Sequence, residues 1–262
     1  MSSKFTKIYA VFCTLCAILL SALRVAVTLY CTDSITGVYS RASILPKILD
    51  ISTVVLIITV FLIPVIFKNS FPFKTASKQN KPTVFFTAFL AFAFLFTSLY
   101  NIYQSVISYK NDIATVITSA SGILSALFFF ARVFAKKSNK GVLAILAFFP
   151  IVWSLATLVA QYFDMTILIT SPNRAYHQIA LLALAAFALT EIRELIGFDN
   201  NRLYTSLAGC AGILLSVSAL PNLVCPQILA AGETYSVLTY LVEFIFAVYC
   251  IVRLFNTQEN RD

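Results

Sequence analysis

The chain has 262 residues, 60% of them hydrophobic and only 11% charged, with a mean hydropathy of +0.88. Soluble domains carry about a quarter charged residues, so this chain has too little polar surface for water, and soluble enzymes and nucleic-acid modules are poor readings. The net charge of +8 is first to be placed against the membrane, before any acidic partner is invoked.

A helix needs about 20 mostly apolar residues to cross ~30 Å of hydrocarbon. Eight such runs follow one another, at roughly 8–30, 49–67, 83–107, 113–134, 142–163, 175–196, 203–220 and 235–255. Short polar segments such as Tyr109-Lys110-Asn111-Asp112 join them, and the period-2 alternation of a β-barrel is absent. The expected fold is therefore all-α: eight transmembrane helices in one membrane domain, residues 1–262. Lys4 and Lys7 precede the first run as they would in a signal peptide. That run is long enough to span and has a counterpart later in the chain, so it reads as a retained helix.

Basic residues set the orientation. With a cytoplasmic N-terminus, fourteen Lys and Arg between Lys4 and Arg261 fall inside, against Arg41, Lys47, Lys110 and Arg174 outside. That is a strong positive-inside bias, and it places both termini in the cytoplasm of a cell-membrane protein. Topology accounts for the net charge.

Residues 97–134 align without a gap on 218–255, at a constant offset of 121. Leu99 falls on Leu220, Asn101 on Asn222, Thr118 on Thr239, Arg132 on Arg253 and Phe134 on Phe255. The front of each half agrees more loosely, with Leu23, Val27 and Tyr30 over Leu155, Val159 and Tyr162. The chain thus divides into repeat one, 1–137, and repeat two, 138–262. Four spans per repeat keep both halves in the same orientation, related by an axis along the membrane normal. A duplication serving only as scaffold is the alternative. The halves have diverged: the third run is rich in phenylalanine, suited to a lipid face or a packing layer, and the seventh carries Ala208, Gly212 and Ser216. Such small residues four apart let helices approach closely, which places the seventh run centrally.

Leu23-Arg24, Tyr30, Asp33 and Thr36-Gly37-Val38-Tyr39 together resemble a segment of uncharacterised multi-pass membrane proteins of clostridial type. The likeness covers one helix end and the loop after it, and implies no activity.

Ionisable side chains inside a span are expensive and are functional candidates by default. Glu243 lies eight residues, about 12 Å, below Tyr235. Its repeat mate is Gly122, so its charge belongs to one half only. It reads either as a proton- or cation-coupled site or as a polar clasp between helices. Arg24 lies about 9 Å below Tyr30. Side chains lean toward the helix N-terminus, so Arg24 and Glu243, on oppositely directed spans, are expected to converge as an ion pair. Asp50 and Asp164 are competing partners. Tyr30, Asp33, Asn101, Tyr162, Asp164, His177 and Asn222 collect around the same outer half, as a polar vestibule or as interfacial residues. His177 is the only histidine, which leaves it as a hydrogen-bonded structural group or a pH sensor rather than a metal ligand.

Cys13-x-x-Cys16 lies within an apolar run and reads as two small apolar residues, not a redox or metal motif. Cys31 and Cys225 both fall at the outer face, where a bridge is permitted. Glu191 and Glu194 lie near the inner end of the sixth run, within reach of Arg132 and Arg253, although surface anchoring is the expected role of those arginines. No GxxxxGK[ST], HExxH or GxSxG motif occurs. No cofactor is implied. The expected partners are the lipid bilayer and a small-molecule or ionic substrate, with no nucleic acid and no preferred oligomeric state. The candidate substrate- or ion-binding residues are Arg24, Glu243, Asn101, Asn222, Tyr30, Tyr162, Asp50 and Asp164. The functional expectation is a small-solute or ion transporter, against a non-transporting scaffold or sensor subunit and, third, an intramembrane enzyme using the outer carboxylates.

Overall fold

The computed structural model describes residues 2–33, 38–40, 43–67, 81–107, 113–134, 140–163, 171–197, 201–226 and 237–256. They are almost entirely helical: α1 (Ser2–Cys31), α2 (Leu45–Ile66), α3 (Lys81–Ile107), α4 (Ile113–Phe134), α5 (Lys140–Leu146), α6 (Phe149–Phe163), α7 (Pro172–Ile196), α8 (Asn201–Val224) and α9 (Val237–Asn256). Seven stretches are long and apolar enough to cross a bilayer: α1, α2, α3, α4, α5 with α6, α8 and α9. That is the build of a multi-pass membrane protein.

The sixth expected run forms α7, which is long enough to span but does not share the low polarity of the other seven. It carries Asn173, Arg174, His177, Glu191 and Glu194, all but the last of them buried. A helix can hold so many polar groups in an apolar bundle when its neighbours supply their partners. The fifth run, expected as one helix, breaks between α5 and α6. Pro150 has no N–H to continue the helical ladder, and the chain turns there through a Phe148 N–H bond to the Ile145 carbonyl at 3.2 Å.

α1 and α2 run in opposite directions, as do α7 and α8. Tyr9 and Phe5 near the start of α1 meet Val60 and Phe67 near the end of α2. Asn173 at the start of α7 meets Asn222 at the end of α8, and Glu191 at the end of α7 meets Tyr204 at the start of α8. The bundle therefore has an upper end, where α1 finishes and α7 begins, and a lower end, where α7 finishes and α8 begins.

Among the seven apolar spans α8 is the most buried, packed by α1, α2, α7 and α9. Ala208, Gly212 and Ser216 are all buried, in keeping with the central place expected from their spacing. At Gly209, side chains of α1 and α2 crowd against α8. A methyl group there would lie 2.8 Å from Tyr9 Oη, 2.9 Å from Val60 Cγ1 and 3.1 Å from Cys13 Sγ.

Two prolines inside helices organise the packing against α1. Pro64 cannot bond the carbonyl four residues back, that of Val60, and Pro221 cannot bond that of Val217. In lipid a freed carbonyl must find another donor. Tyr9 Oη donates to Val60 O at 2.9 Å, and Arg24 Nη1 donates to Val217 O. One helix thus satisfies both gaps.

The phenylalanines of α3 divide their roles. Phe85, Phe89, Phe92 and Phe96 are exposed on an outer face suited to lipid, while Phe94 is buried. Phe94 packs on Phe129 and Trp153, and Phe129 on Phe246 and Tyr249, with centroid separations of 5.0–6.0 Å. Phe187 of α7 closes the layer against Phe246 and Tyr249. Edge-to-face contacts dominate, the arrangement favoured by ring quadrupoles.

Candidate functional site

The aromatic layer separates two buried polar clusters. The upper one begins at Arg24, which is 1% exposed. Besides the Val217 carbonyl, its guanidinium donates through Nη2 to Asn173 Oδ1 at 2.8 Å and lies over the Tyr176 ring, 4.2 Å from the centroid. Asn173 and Asn222 exchange amide bonds in both directions, at 2.9 and 3.0 Å, and Asn222 also donates to the Ser218 carbonyl at 2.8 Å. Ser218 Oγ donates to Glu243 Oε2 at 3.2 Å. The other oxygen of Glu243 meets His177 Nε2, and His177 Nδ1 is 2.9 Å from Gln161 Nε2. Gln161, His177, Ser218 and Glu243 are all fully buried. A continuous polar path thus runs from α1 through α7, α8 and α9 to α6. At its rim Tyr176 donates to Asp50 Oδ1 at 2.7 Å, and Arg174 donates to the Tyr162 carbonyl at 2.8 Å.

The expected ion pair between Arg24 and Glu243 does not form. Both side chains reach the upper half of the bundle, as their opposed tilts require, but α8 intervenes. Arg24 takes the Val217 carbonyl and Glu243 takes the neighbouring Ser218 hydroxyl. Successive residues on a helix point about 100° apart, so the two charges approach α8 from different sides. Glu243 pairs with His177 instead.

The other candidates divide. Asn222 is buried within the network. Asp50 is exposed and joins only through Tyr176, while Asn101 is half-buried on α3, outside the network. Tyr30 and Tyr162 expose their side chains, by 83% and 65%, so Tyr162 contributes only its backbone carbonyl. Asp164 lies outside the described residues. Asp33 follows α1, and its N–H bonds to the Val38 carbonyl at 3.0 Å. Tyr39, bridged to Thr32, has its phenol pushed above the ordinary range by burial, with the nearby Arg24 guanidinium opposing.

The lower cluster is ionic. Arg132 pairs with Glu191 and lies 3.7 Å from Glu194, while Arg253 reaches Glu191 at 3.2 Å and Glu194 at 2.6 Å. Tyr204 Oη donates to Glu191 Oε1 at 2.5 Å and accepts from Arg253 Nε at 2.7 Å. Surface anchoring of Arg132 and Arg253 is thereby corrected: both are buried, because two carboxylates on α7 supply the opposite charge inside the bundle. Cys31 and Cys225 are free thiols rather than a bridge, and Cys31 Sγ lies 3.2 Å from Ser43 Oγ. Cys13 and Cys16 are buried and free as well.

Gln161, Asn173, Ser218 and Tyr204 were not singled out by the sequence. Asn173 follows Pro172 and looks like a helix-start residue, and the others look like ordinary tolerated polar residues in apolar runs. The useful signal was Pro221, since the carbonyl it frees demands a donor nearby. No family model, curated protein or solved structure matches the chain.

Proposed function

We propose that the chain is a small-solute or ion transporter of the cell membrane. In this reading both termini are cytoplasmic and eight helices cross the bilayer, α5 and α6 together forming the fifth crossing. The upper cluster faces the outside and holds the substrate site between two parallel four-span repeats.

One observation carries the reading. A connected set of buried polar groups, including Arg24, His177 and Glu243, links α1 of the first half to four helices of the second. Ionisable groups at that depth are expensive even when paired, and by default they mark a substrate or ion pathway. Beneath them the aromatic layer and the Arg132–Arg253–Glu191–Glu194 cluster close the lower end. Transporters built from repeats expose a midplane site alternately by rocking one repeat against the other. Here inward opening requires the lower ion pairs to part.

Part of the packing is repeated: α3 packs on α4 as α8 packs on α9, α1 on α2 as α6 on α7, and α4 on α6 as α9 on α1. By contrast α8 packs on α1, α2 and α7, whereas its mate α3, among the described residues, makes no comparable packing on α6, α7 or α2. Arg132 and Arg253, repeat mates by sequence, converge on the same two carboxylates. Residues near an axis along the membrane normal would meet in that way.

The test uses the full chain in liposomes, with a panel of amino acids, sugars, nucleosides and inorganic ions. The expected result is faster movement of at least one class than in protein-free liposomes, slowed by Glu243→Gln. In parallel, Ser218→Cys is probed with a membrane-impermeant thiol reagent from each side. Labelling from the outer side is expected. No flux of any class, with no labelling from either side, would replace transport by the scaffold or sensor-subunit reading.

A further inference from the structure

We infer that His177, Glu243 and Gln161 form a proton-binding site in which the Gln161 amide switches between donor and acceptor to fit either charge state of the ring. As the seat of a driving ion this rests on the transport reading; as a proton site it stands on its own geometry.

An amide nitrogen only donates, so the Gln161 Nε2 contact at 2.9 Å makes His177 Nδ1 the acceptor. The ring proton then sits on Nε2, the nitrogen that contacts Glu243 Oε1. This is neutral imidazole beside a carboxylate. A second proton must add at Nδ1, and its N–H needs an acceptor there.

Gln161 can provide one without moving its backbone. Its Oε1 is buried and has no hydrogen-bond partner. Rotating the amide by half a turn brings Oε1 to Nδ1 and leaves Nε2 in the unpartnered place, so one unpartnered atom replaces another. The protonated ring would then donate at both nitrogens, to Gln161 and to Glu243. Uptake is balanced: one proton from water forms one N–H bond, and the His177–Glu243 pair changes from a net charge of −1 to zero.

The surrounding elements leave the pair well defined. α6 presents Gln161, α8 presents the neutral Ser218, and α9 presents Glu243 and the Tyr240 ring, 4.9 Å from the imidazole centroid. The other charged groups nearby are Arg24 of α1, two amides away through Asn173 and Asn222, Asp50 of α2, bonded to Tyr176, and Arg174 of α7, bonded to Tyr162. Glu243 is therefore the only carboxylate in direct contact with the ring among the described residues.

The chain has one histidine, so its imidazole nitrogens can be read without assignment. The experiment labels histidine with nitrogen-15 in the full chain in lipid nanodiscs. The pH is stepped from about 8 to about 5, the range in which imidazole commonly changes charge. The two resonances should move from a neutral pair, one protonated and one bare, to two protonated nitrogens. Gln161→Leu, which offers no acceptor, should hold the ring neutral over the same range while eluting as a folded protein. Gln161→Glu, which offers one, should restore the change. Wild-type resonances that stay fixed overturn the proton site, whether or not a solute moves. A Gln161→Leu protein that titrates like wild type overturns the amide switch. Titrating wild-type resonances in a protein that moves no solute refute the transport reading and leave the proton site standing.

Discussion

Glu191→Leu is the perturbation with the largest expected effect on stability. Glu191 is 3% exposed and receives Arg132, Arg253 and the Tyr204 hydroxyl. Without it, two buried guanidinium groups face Glu194 alone, and one positive charge is left uncompensated. Removing one partner of a buried pair costs about 3–5 kcal/mol, and a buried hydroxyl without its acceptor adds about 1 kcal/mol. The expected loss is therefore ~4–6 kcal/mol. Pairing Glu191→Leu with Arg132→Leu leaves Arg253 and Glu194 still bonded at 2.6 Å with no charge in excess. That double variant should recover about 2 kcal/mol or more relative to the sum of the singles, within the range of coupling between contacting residues. Glu194→Gln should cost less, about 1–2 kcal/mol, because its side chain is 19% exposed and water screens what remains. Unfolding by a denaturing detergent in mixed micelles reads these differences. The only tryptophan, Trp153, is buried against Phe94 and reports on the aromatic layer directly above the cluster. A Glu191→Leu loss under about 1 kcal/mol, or strict additivity in the double variant, would refute a buried ionic cluster.

Gly209→Ala should destabilise by about 1–3 kcal/mol, the usual range for overpacking, because three side chains stand within 3.1 Å of the added methyl. Gly141→Ala, with nothing within 4 Å, should be neutral or slightly stabilising in the same melt. Asn222→Leu removes a buried amide bonded to Asn173 and Ser218, and should cost about 1–3 kcal/mol by the same detergent titration. A change indistinguishable from wild type would remove Asn222 from the upper network. In intact cells Tyr30→Cys should react with an impermeant maleimide, whereas Phe134→Cys, also on an exposed position, should react only after permeabilisation. The opposite pattern would invert the proposed orientation. Alkylation of the unreduced, unfolded chain should modify all six cysteines, and a missing pair at Cys31 and Cys225 would contradict the free thiols.

The sequence by itself determined the helices and their number to within one polar member, because the requirement for crossing a bilayer is local: about 20 apolar residues in a row. It also marked Arg24 and Glu243 as unusual, since a charge inside such a run is visible without knowing what surrounds it. Tertiary structure alone decided their partners. Depth along a helix follows from counting residues, but the direction a side chain faces depends on which helices flank it. Arg24 and Glu243 reach the same half of the bundle and are parted by α8, a fact no residue spacing contains. Arg132 and Arg253 looked like surface anchors because basic residues at span ends usually are; two carboxylates on α7 turn them inward. His177 is one residue among 262 in the sequence. Packing of α6, α7 and α9 places a carboxylate on one of its nitrogens and an amide on the other.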